Sequence, residues 1–321
     1  MAWPFRRRAA IETKAHPNGA AFVVPGGAQW ARSSGRKQYI DEGYQLNVIV
    51  YRAITEIVRA AGAVKIELYR GDDAITSHPL LNLLDNPAPL MTWQDWLTEM
   101  MVNRMLFGEM ASIAAGGGTP AELWPINPLH VIVKPGANGI PLAYVHEHNN
   151  RKVRFEVDQI TGQSDMLFSK TYNPNDYWRG QSPLMAAALA ADTHNSGMRW
   201  NFSLLKNSAR PSGVVRFKGQ YPGGETIARM REYFKAKMQG SDNAGEIPML
   251  AEDAEWVALS QTARDMDFLN VMKETSKYVA SALGVPLPLI DNDASTFNNL
   301  EQAKERLDTD TVIPLMEEML A

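Results

Sequence analysis

Four acidic side chains crowd the last helical segment of the chain, in the run DTDTVIPLMEEML. They are Asp308, Asp310, Glu317 and Glu318. Clustered carboxylates bind the Mg²⁺ ions that nucleases and phosphohydrolases use. No histidine accompanies them, although such an enzyme needs a set of carboxylates or histidines with complementary roles. A hydrolase or nuclease is therefore kept as an alternative interpretation only.

Three other short runs resemble binding sites. Strand periodicity places His146 and His148 on one face, but two imidazoles are too few to hold a metal ion. The run Asp291 to Asp293 lacks the Gly and the distal Glu of a calcium loop, and Asp and Asn are common in turns. The glycines Gly116 to Gly118 lead into Thr119-Pro120 and a strand-like run, which predicts a turn and not a phosphate cradle.

The motifs that carry enzyme chemistry are missing from the sequence. There is no G-x-S-x-G elbow, no G-x-x-x-x-G-K-[ST] phosphate loop, no G-x-G-x-x-G fingerprint and no H-E-x-x-H pair. We therefore expect a protein that is not an enzyme, with no catalytic residues, no cofactor, no metal and no means of hydrolysing ATP.

Length and composition are those of an ordinary soluble protein. The chain has 321 residues, 45% hydrophobic and 21% charged, and a formal net charge of -4, which excludes a uniformly basic DNA-coating protein. The absence of Cys excludes disulfides and thiolate sites. No apolar run reaches the roughly 18 to 20 residues of a membrane-spanning helix, and no signal peptide follows the basic start. We expect a soluble protein with no membrane partner.

The first half reads as an arm followed by an α+β lobe. Residues 1–40 are rich in Gly, Ala, Pro and Arg without a sustained period, which predicts a mobile N-terminal arm. In the lobe, LNVIVYRAITEIVRAAG predicts a helix, AVKIELYR a strand, and TWQDWLTEMMVNRMLFGE a helix from Thr92 to Gly108. Six strand-like runs follow: MASIAA, ELWPI, VIVKP, LAYVHEH, KVRFEV and DMLFSK.

In the second half, two long helices enclose a small unit. Ser182 as N-cap and Pro183 in the first turn predict a helix whose small residues let another helix approach closely. The unit between the helices reads as β-α-β-β, with the strands SGVVRFKG, IPMLA and EWVALS and the helix ETIARMREYFKAKMQG. After the second long helix, a proline-stiffened loop, ALGVPLPLIDNDASTFNNLEQA, leads into a last helix.

Charge is distributed unevenly over this half. Residues 201–240 carry eight Lys or Arg against two Glu, a net +6, and residues 282–321 carry two basic against eight acidic residues, a net -6. The first run falls in the inserted unit and the second in the loop and last helix. A basic unit could meet an acidic protein or a phosphate backbone, whereas an acidic helix near DNA would discourage sticking.

Several runs resemble signature stretches of tailed-phage portal proteins of the HK97 type, a family that includes the portals of phage-like gene transfer particles. The most specific are the RGxSPL helix start at Arg179 to Leu184 and the GVP loop followed by STFNNLEQ at Ser295 to Gln302. The runs NSARPSGVVRF and DTVIPLMEEML match as well. The resemblance covers residues 45–321 and leaves out the arm.

The resemblance implies an α+β, portal-like subunit that closes into a ring. Its expected parts, in chain order, are the mobile arm (1–40), an α+β wing (41–181), a first stem helix (182–207), a small β-α-β-β clip (208–262), a second stem helix (263–283), a tunnel loop (284–298) and a long C-terminal wing or tunnel helix (299–321). Portals usually continue into a helical crown after this helix. Since this sequence ends at Ala321, the crown is expected to be short or absent.

The resemblance also implies two functional surfaces. The tunnel loop is expected to face DNA with short polar tips on a stiff base, which would touch the duplex without reading its sequence. Its residues are Leu287, Pro288, Asp291, Asn292, Asp293, Ser295, Thr296 and Asn298. The clip is expected to dock the motor and the adaptor through Arg216, Lys218, Arg229, Arg231, Lys235 and Lys237.

The implied function is passage of double-stranded DNA at one capsid vertex, during packaging and during ejection. The implied partners are further copies of the chain in a closed ring, usually of twelve, together with DNA, the terminase large subunit, the major capsid protein and a head-completion adaptor. The implied location is the portal vertex of a virion or phage-like particle assembled in the bacterial cytoplasm. Two alternatives stay open: a phage-encoded hydrolase or nuclease, and a head-tail adaptor, although adaptors are usually much shorter.

Overall fold

The computed structural model describes residues 35–116, 120–136, 139–206, 213–217, 223–238, 254–258, 264–291 and 297–320. Its helices are α1 (Val48–Ala63), α2 (Pro79–Asp85), α3 (Trp93–Phe107), α4 (Pro183–Lys206), α5 (Gly224–Met238), α6 (Arg264–Ala282), α7 (Phe297–Leu307) and α8 (Ile313–Leu320). Its strands are β1 (Leu68–Arg70), β2 (Asp73–Ile75), β3 (Glu109–Ala115), β4 (Glu122–Pro125), β5 (Val131–Lys134), β6 (Ala143–His148), β7 (Arg151–Glu156), β8 (Met166–Lys170), β9 (Gly213–Phe217) and β10 (Ala254–Ala258).

Local capping signals fix the ends of α3. The Thr92 hydroxyl accepts from the amide of Asp95 at 3.2 Å, and the Asp95 carboxylate accepts from the amide of Thr92 at 3.0 Å. This reciprocal pair is a capping box, which satisfies two amides that the first turn leaves free. At the other end Gly108 takes a left-handed conformation with φ 66°, which suits a residue without Cβ. Both predicted ends of this helix are confirmed.

The six strand-like runs form two antiparallel sheets of three strands. One sheet has the order β4-β3-β8 and the other β5-β6-β7. In the first, Ser112 of the central strand lies opposite Pro125 on one side and Leu167 on the other. The six predicted strands are confirmed, and all of them lie between α3 and α4.

One hydrophobic core joins the helices of both halves. Val50, Ile54 and Ile57 recur at helical spacing on α1 and are completely buried. They belong to a single cluster with buried residues of α3, α4, α6, α7 and α8, among them Leu97, Met101, Leu184, Val279, Leu283, Ala303 and Met316. The C-terminal helices α7 and α8 therefore pack in the same core as α1.

The helices α4 and α6 pack side by side, as the small residues of the first predict. Ala187, Ala188 and Ala191 on α4 are at most 3% exposed. Small side chains allow close approach of two helix backbones. At its start α4 is held by Ser182, whose hydroxyl accepts from the amide of Leu184 at 3.1 Å.

A buried asparagine ties α1 to α4. The Asn47 carbonyl oxygen accepts from the amides of Ile49 and Val50 at 3.0 Å each, so it caps α1. Its amide group donates to the Asn195 side chain at 3.0 Å. Asn195 in turn donates to the backbone carbonyl of Glu42 at 2.8 Å. Every contact compensates the burial of a polar group, as the interior requires.

The inserted unit lies between α4 and α6. Strands β9 and β10 pair antiparallel, with Arg216 opposite Glu255 in the register, and α5 connects them along the chain. The additional strand predicted at IPMLA lies outside the described residues. Within the described part of the chain no helix is both long and apolar enough to span a bilayer.

Three local features differ from the sequence predictions. The strand predicted from AVKIELYR is reduced to Leu68–Arg70, because α1 extends to Ala63 and Ile66 packs against the core. The last helix is divided by a π-turn at Asp308–Val312, directly before Pro314, whose ring cannot continue the regular ladder. Residues 35–40, assigned to the mobile arm, enter a π-turn at Tyr39–Tyr44.

Candidate functional site

The predicted tunnel loop begins at a glycine that ends α6. Gly284 has φ +73°, its amide donates to the Ser281 carbonyl at 3.1 Å, and the Val285 amide donates to the Ala280 carbonyl at 2.9 Å. These two bonds and the left-handed glycine define a Schellman motif. Val285 is 3% exposed and packs in the core, so the chain leaves the helix in one fixed direction.

The next residues form a short, stiff turn. Leu287–Leu289 is a 3₁₀ turn that follows Pro286 and contains Pro288, and the amides of Ile290 and Asp291 both donate to the Leu287 carbonyl at 2.9 Å. Leu289 is buried in the core, while Leu287 and Pro288 are half-buried. Arg52 of α1 donates to the Leu289 carbonyl at 3.5 Å. The base of the loop is therefore anchored from both sides.

The structure places half of the predicted DNA-facing residues. Leu287, Pro288 and Asp291 lie together at this base, and Asn298 is exposed in the first turn of α7. The remaining four, Asn292, Asp293, Ser295 and Thr296, lie outside the described residues. Beside the base is an open cleft of about 520 Å³, between the end of α6 and the π-turn, with Lys277, Pro286, Arg306, Asp310 and Thr311 in its lining.

The predicted clip surface is described in part. Arg229 on α5 is exposed and pairs with Glu225 at 2.5 Å, one turn earlier on the same helix. Arg216 lies on β9, and Arg231, Lys235 and Lys237 lie on α5, but the side-chain positions of these four and all of Lys218 lie outside the description. Of the six residues predicted to form the docking surface, Arg229 is the one whose side chain is described, and it is exposed.

The charge of the clip needs a correction. Residues 208–262 contain seven Lys or Arg and seven Asp or Glu, so the insert as a whole is neutral. The excess of +6 comes from residues 201–240, and five acidic residues follow in 241–262. The basic residues of the insert all fall before residue 241, and the acidic excess follows them in sequence.

A buried carboxylate that the sequence patterns did not indicate lies at the start of β3, next to the residues that precede α4. Glu109 is completely buried, and its two oxygens accept from Arg179 at 3.0 and 2.8 Å, from the Gly180 amide at 2.6 Å and from Arg36 at 2.7 Å. Burial raises the pKa of the Glu109 carboxyl, while the charge of Arg36 and the Gly180 amide oppose that rise. Because all of these groups donate, the site suits the ionised carboxylate.

The two arginines extend this ion cluster to neighbouring backbone. Arg179 also donates to the carbonyls of Val131 at 2.5 Å and Pro128 at 2.9 Å, and Arg36 donates to the Phe107 carbonyl at 3.4 Å. The sequence signal for this site is the position of Glu109 itself, a charged residue between Gly108 and the apolar run MASIAA. Its partners could not be found from spacing, since they lie 70 or more residues away along the chain.

A third histidine joins the two that the sequence placed on one strand face. The ring of His130 lies 4.7 Å from that of His148 and 6.4 Å from that of His146. Burial and the two neighbouring rings lower the pKa of His146. Among the described residues, no group of three or more His, Asp or Glu is arranged to hold a metal ion.

Two of the four acids in the last segment each form an ion pair with an arginine. Glu318 pairs with Arg104, and Asp310 pairs with Arg306 at 3.5 Å. Asp308 and Asp310 belong to the π-turn, and Glu317 and Glu318 follow on α8. The partners of Glu318 and Asp310 are arginines and not histidines, so these two pairs do not form the carboxylate and histidine set that a hydrolase needs.

Comparison with known proteins gives a family match and similar structures. Residues 48–321 match the family model described as phage portal protein. A protein of Rickettsia bellii, described only as uncharacterized, is 31% identical over 285 residues, which are 87% of this chain and 73% of that protein.

Two solved structures are similar in fold. The neck of an empty GTA particle, computed with C6 symmetry, is 26% identical at a TM-score of 0.67, over 90% of this chain and 82% of that chain. An HK97 family phage portal protein from Corynebacterium diphtheriae has a TM-score of 0.63 over 86% of this chain and 85% of that chain. The identity of the second is 14%, so it supports the fold alone.

Proposed function

The chain belongs to the phage portal protein family, and from this membership we propose that it forms the ring through which double-stranded DNA enters and leaves a capsid or phage-like particle. The observation that carries the proposal is the family match over residues 48–321. The similar neck structure, computed with C6 symmetry, supports an arrangement of rotated copies. The ring would stand at one vertex, in a virion or a gene transfer particle, and be assembled in the bacterial cytoplasm.

In this ring, neighbouring copies cover apolar surface that one subunit leaves exposed. Leu189 and Phe202 on α4 are 65% and 66% exposed, and Tyr278 on α6 is 60% exposed. Large apolar side chains on two packed helices support a subunit contact, since such surface is uncommon on a monomer. Cyclic symmetry needs two different faces per subunit that fit each other, so the helix pair α4–α6 acts as the stem.

The loop after α6 lines the channel. Its base is anchored by Val285 and Leu289, so the loop starts from a firm support. Short polar side chains suit contact with a duplex that moves past them, because backbone contacts position DNA without reading it. The anchored base and the polar composition support this role for the loop.

The insert between the two stem helices acts as the clip. The basic residues of α5, of which Arg229 is exposed, form the docking surface for the terminase large subunit during packaging and for a head-completion adaptor afterwards. The wing contacts the major capsid protein. The protein supplies no catalysis of its own, and ATP hydrolysis belongs to the motor.

Electron microscopy of the purified full-length chain tests the proposal directly. We expect end-on views of closed rings with a central hole wide enough for a duplex. A monodisperse monomer at high protein concentration, or an oligomer without a central hole, would overturn it. Incubation of the same preparation with plasmid and Mg²⁺ tests the nuclease alternative, and intact plasmid is expected.

A further inference from the structure

The loop base makes one side-chain contact with the C-terminal helices at Gly284. The Thr311 hydroxyl donates to the Gly284 carbonyl at 2.7 Å. Gly284 is the left-handed residue that ends α6, and Thr311 belongs to the π-turn between α7 and α8. The bond therefore links the start of the loop to the turn that follows α7, 27 residues further along the chain.

The two residues fit each other in shape as well. A Cβ added at Gly284 would lie 2.7 Å from the Thr311 hydroxyl oxygen, closer than real side chains come. Only glycine leaves room for the hydroxyl and adopts φ +73° without strain. The glycine thus meets two requirements, a helix end and the approach of a side chain.

The π-turn explains how Thr311 reaches this position. The amide of Ile313 donates to the Asp308 carbonyl, five residues back, so the turn is one residue wider than in an α-helix. Val312 and Met316 remain buried against the core on either side of Pro314. A π-turn inside a helix often marks a functional site, and here it places a hydroxyl at the start of the loop.

We propose that Thr311 is a positioning residue for the tunnel loop: its hydroxyl holds the loop base against the C-terminal helices through the Gly284 carbonyl. The proposal rests on the proposed function, since it assumes that this loop meets DNA. Gly284 is exposed and the bond lies beside the open cleft of about 520 Å³, so without the bond the carbonyl turns to water and the base gains room to move.

Three variants of the full-length chain test the inference. Thr311→Val keeps the branched shape and removes the donor, and Thr311→Ser keeps the donor. Thr309→Val is the matched control, because the Thr309 hydroxyl bonds to the Glu305 carbonyl of its own helix at 2.9 Å. The first readout is amide hydrogen exchange of residues 285–291. We expect about fivefold faster exchange in Thr311→Val, the loss of one ordinary hydrogen bond.

Thr311→Ser and Thr309→Val are expected to exchange like the wild type. Unchanged exchange in Thr311→Val, or equally fast exchange in Thr311→Ser, would overturn the hydrogen-bond role. The second readout is DNA retention on heating of particles that carry each variant, where Thr311→Val alone is expected to release DNA earlier. Faster exchange with unchanged retention would reject the role in DNA passage. Failure of the proposed function is recognised separately, because the wild-type chain would then show no ring.

Discussion

At the scale of single residues, the buried ion cluster around Glu109 shows how one carboxylate can join distant segments. It accepts from Arg36 near the start of the described chain and from Arg179 just before α4. Its side chain has no contact with water. A buried charge is stable only with such partners. Removing one partner of a buried ion pair destabilises the fold by more than the intact pair stabilises it.

We expect Glu109→Gln to lower the free energy of unfolding by roughly 3 kcal/mol, because two guanidinium groups lose their counter-ion at a buried site. Urea denaturation followed by circular dichroism would measure the change. Glu147→Gln is the control, since Glu147 pairs with Lys152 at the exposed surface, and it should leave the urea midpoint unchanged. An equal midpoint for both variants would contradict the stabilising role of Glu109.

Two glycine-to-alanine substitutions should act in opposite directions. Gly284→Ala places a Cβ against Thr311 at φ +73°, and about 1 to 3 kcal/mol of stability should be lost. Gly62→Ala lies inside α1 with nothing within 4 Å of the new Cβ, and about 0.5 to 1 kcal/mol should be gained. Thermal melts of the two variants check the sign of each change, and a stabilised Gly284→Ala would contradict the tight approach.

At the scale of elements, the sequence predicts structure wherever the signal is local. Thr92, Gly108 and Ser182 mark helix ends through their own caps, and alternating runs mark the six strands of the wing. Contacts between distant segments cannot be predicted from local patterns. Such contacts depend on how the sheets and helices meet, as for His130 with His146 and Arg36 with Glu109. The prolines of the predicted loop base are a local signal as well, whereas its DNA-facing role is implied by the resemblance and stays a prediction. The contact of Thr311 with Gly284 joins residues 27 positions apart and has no local signal.

The basic residues of α5, which the sequence predicts to lie in a docking clip, can be tested by charge reversal. We expect Arg229→Glu, Arg231→Glu and Lys235→Glu together to leave ring assembly intact and to reduce the yield of DNA-filled particles about tenfold, because like charges would then meet at the docking surface. The matched control reverses three basic residues on β7: Arg151→Glu, Lys152→Glu and Arg154→Glu. Normal packaging by the clip variant would refute its docking role.

Shortening the predicted tunnel loop separates ring formation from DNA passage. Deletion within residues 292–296 keeps the anchored base at Leu287–Leu289 and the start of α7. We expect intact rings by electron microscopy, because the buried residues of the loop base, Val285 and Leu289, are retained, and a loss of DNA retention or translocation. Particles that fill and hold DNA as the wild type does would remove the loop from the mechanism.

At the scale of the whole molecule, two histidines should make stability depend on pH. Burial lowers the pKa of His194, and burial with the neighbouring rings of His130 and His148 lowers that of His146. Both folded-state pKa values lie below the ordinary value of 6.5, so the unfolded chain binds more protons as the pH falls through that value. Stability is complete above this value and decreases as the pH falls towards the folded-state values.

We therefore expect the melting temperature to fall between about pH 7.5 and about pH 5.5, and the fall to be smaller in His146→Gln, which cannot take up the extra proton. Differential scanning fluorimetry over this range would measure both. A pH dependence of His146→Gln identical to the wild type would exclude His146 as a contributor.

The ion cluster at Glu109 has a consequence for the order in which the chain matures. A ribosome synthesises Arg36 and Glu109 well before Arg179. For a time, the Glu109 carboxylate therefore has only one of its two arginine partners. Closing a contact across 70 residues carries an entropic cost that local turns avoid. The segment from β3 to β8 should thus reach its final packing only once the beginning of α4 has been synthesised, so its folding waits for residues that follow it in the chain.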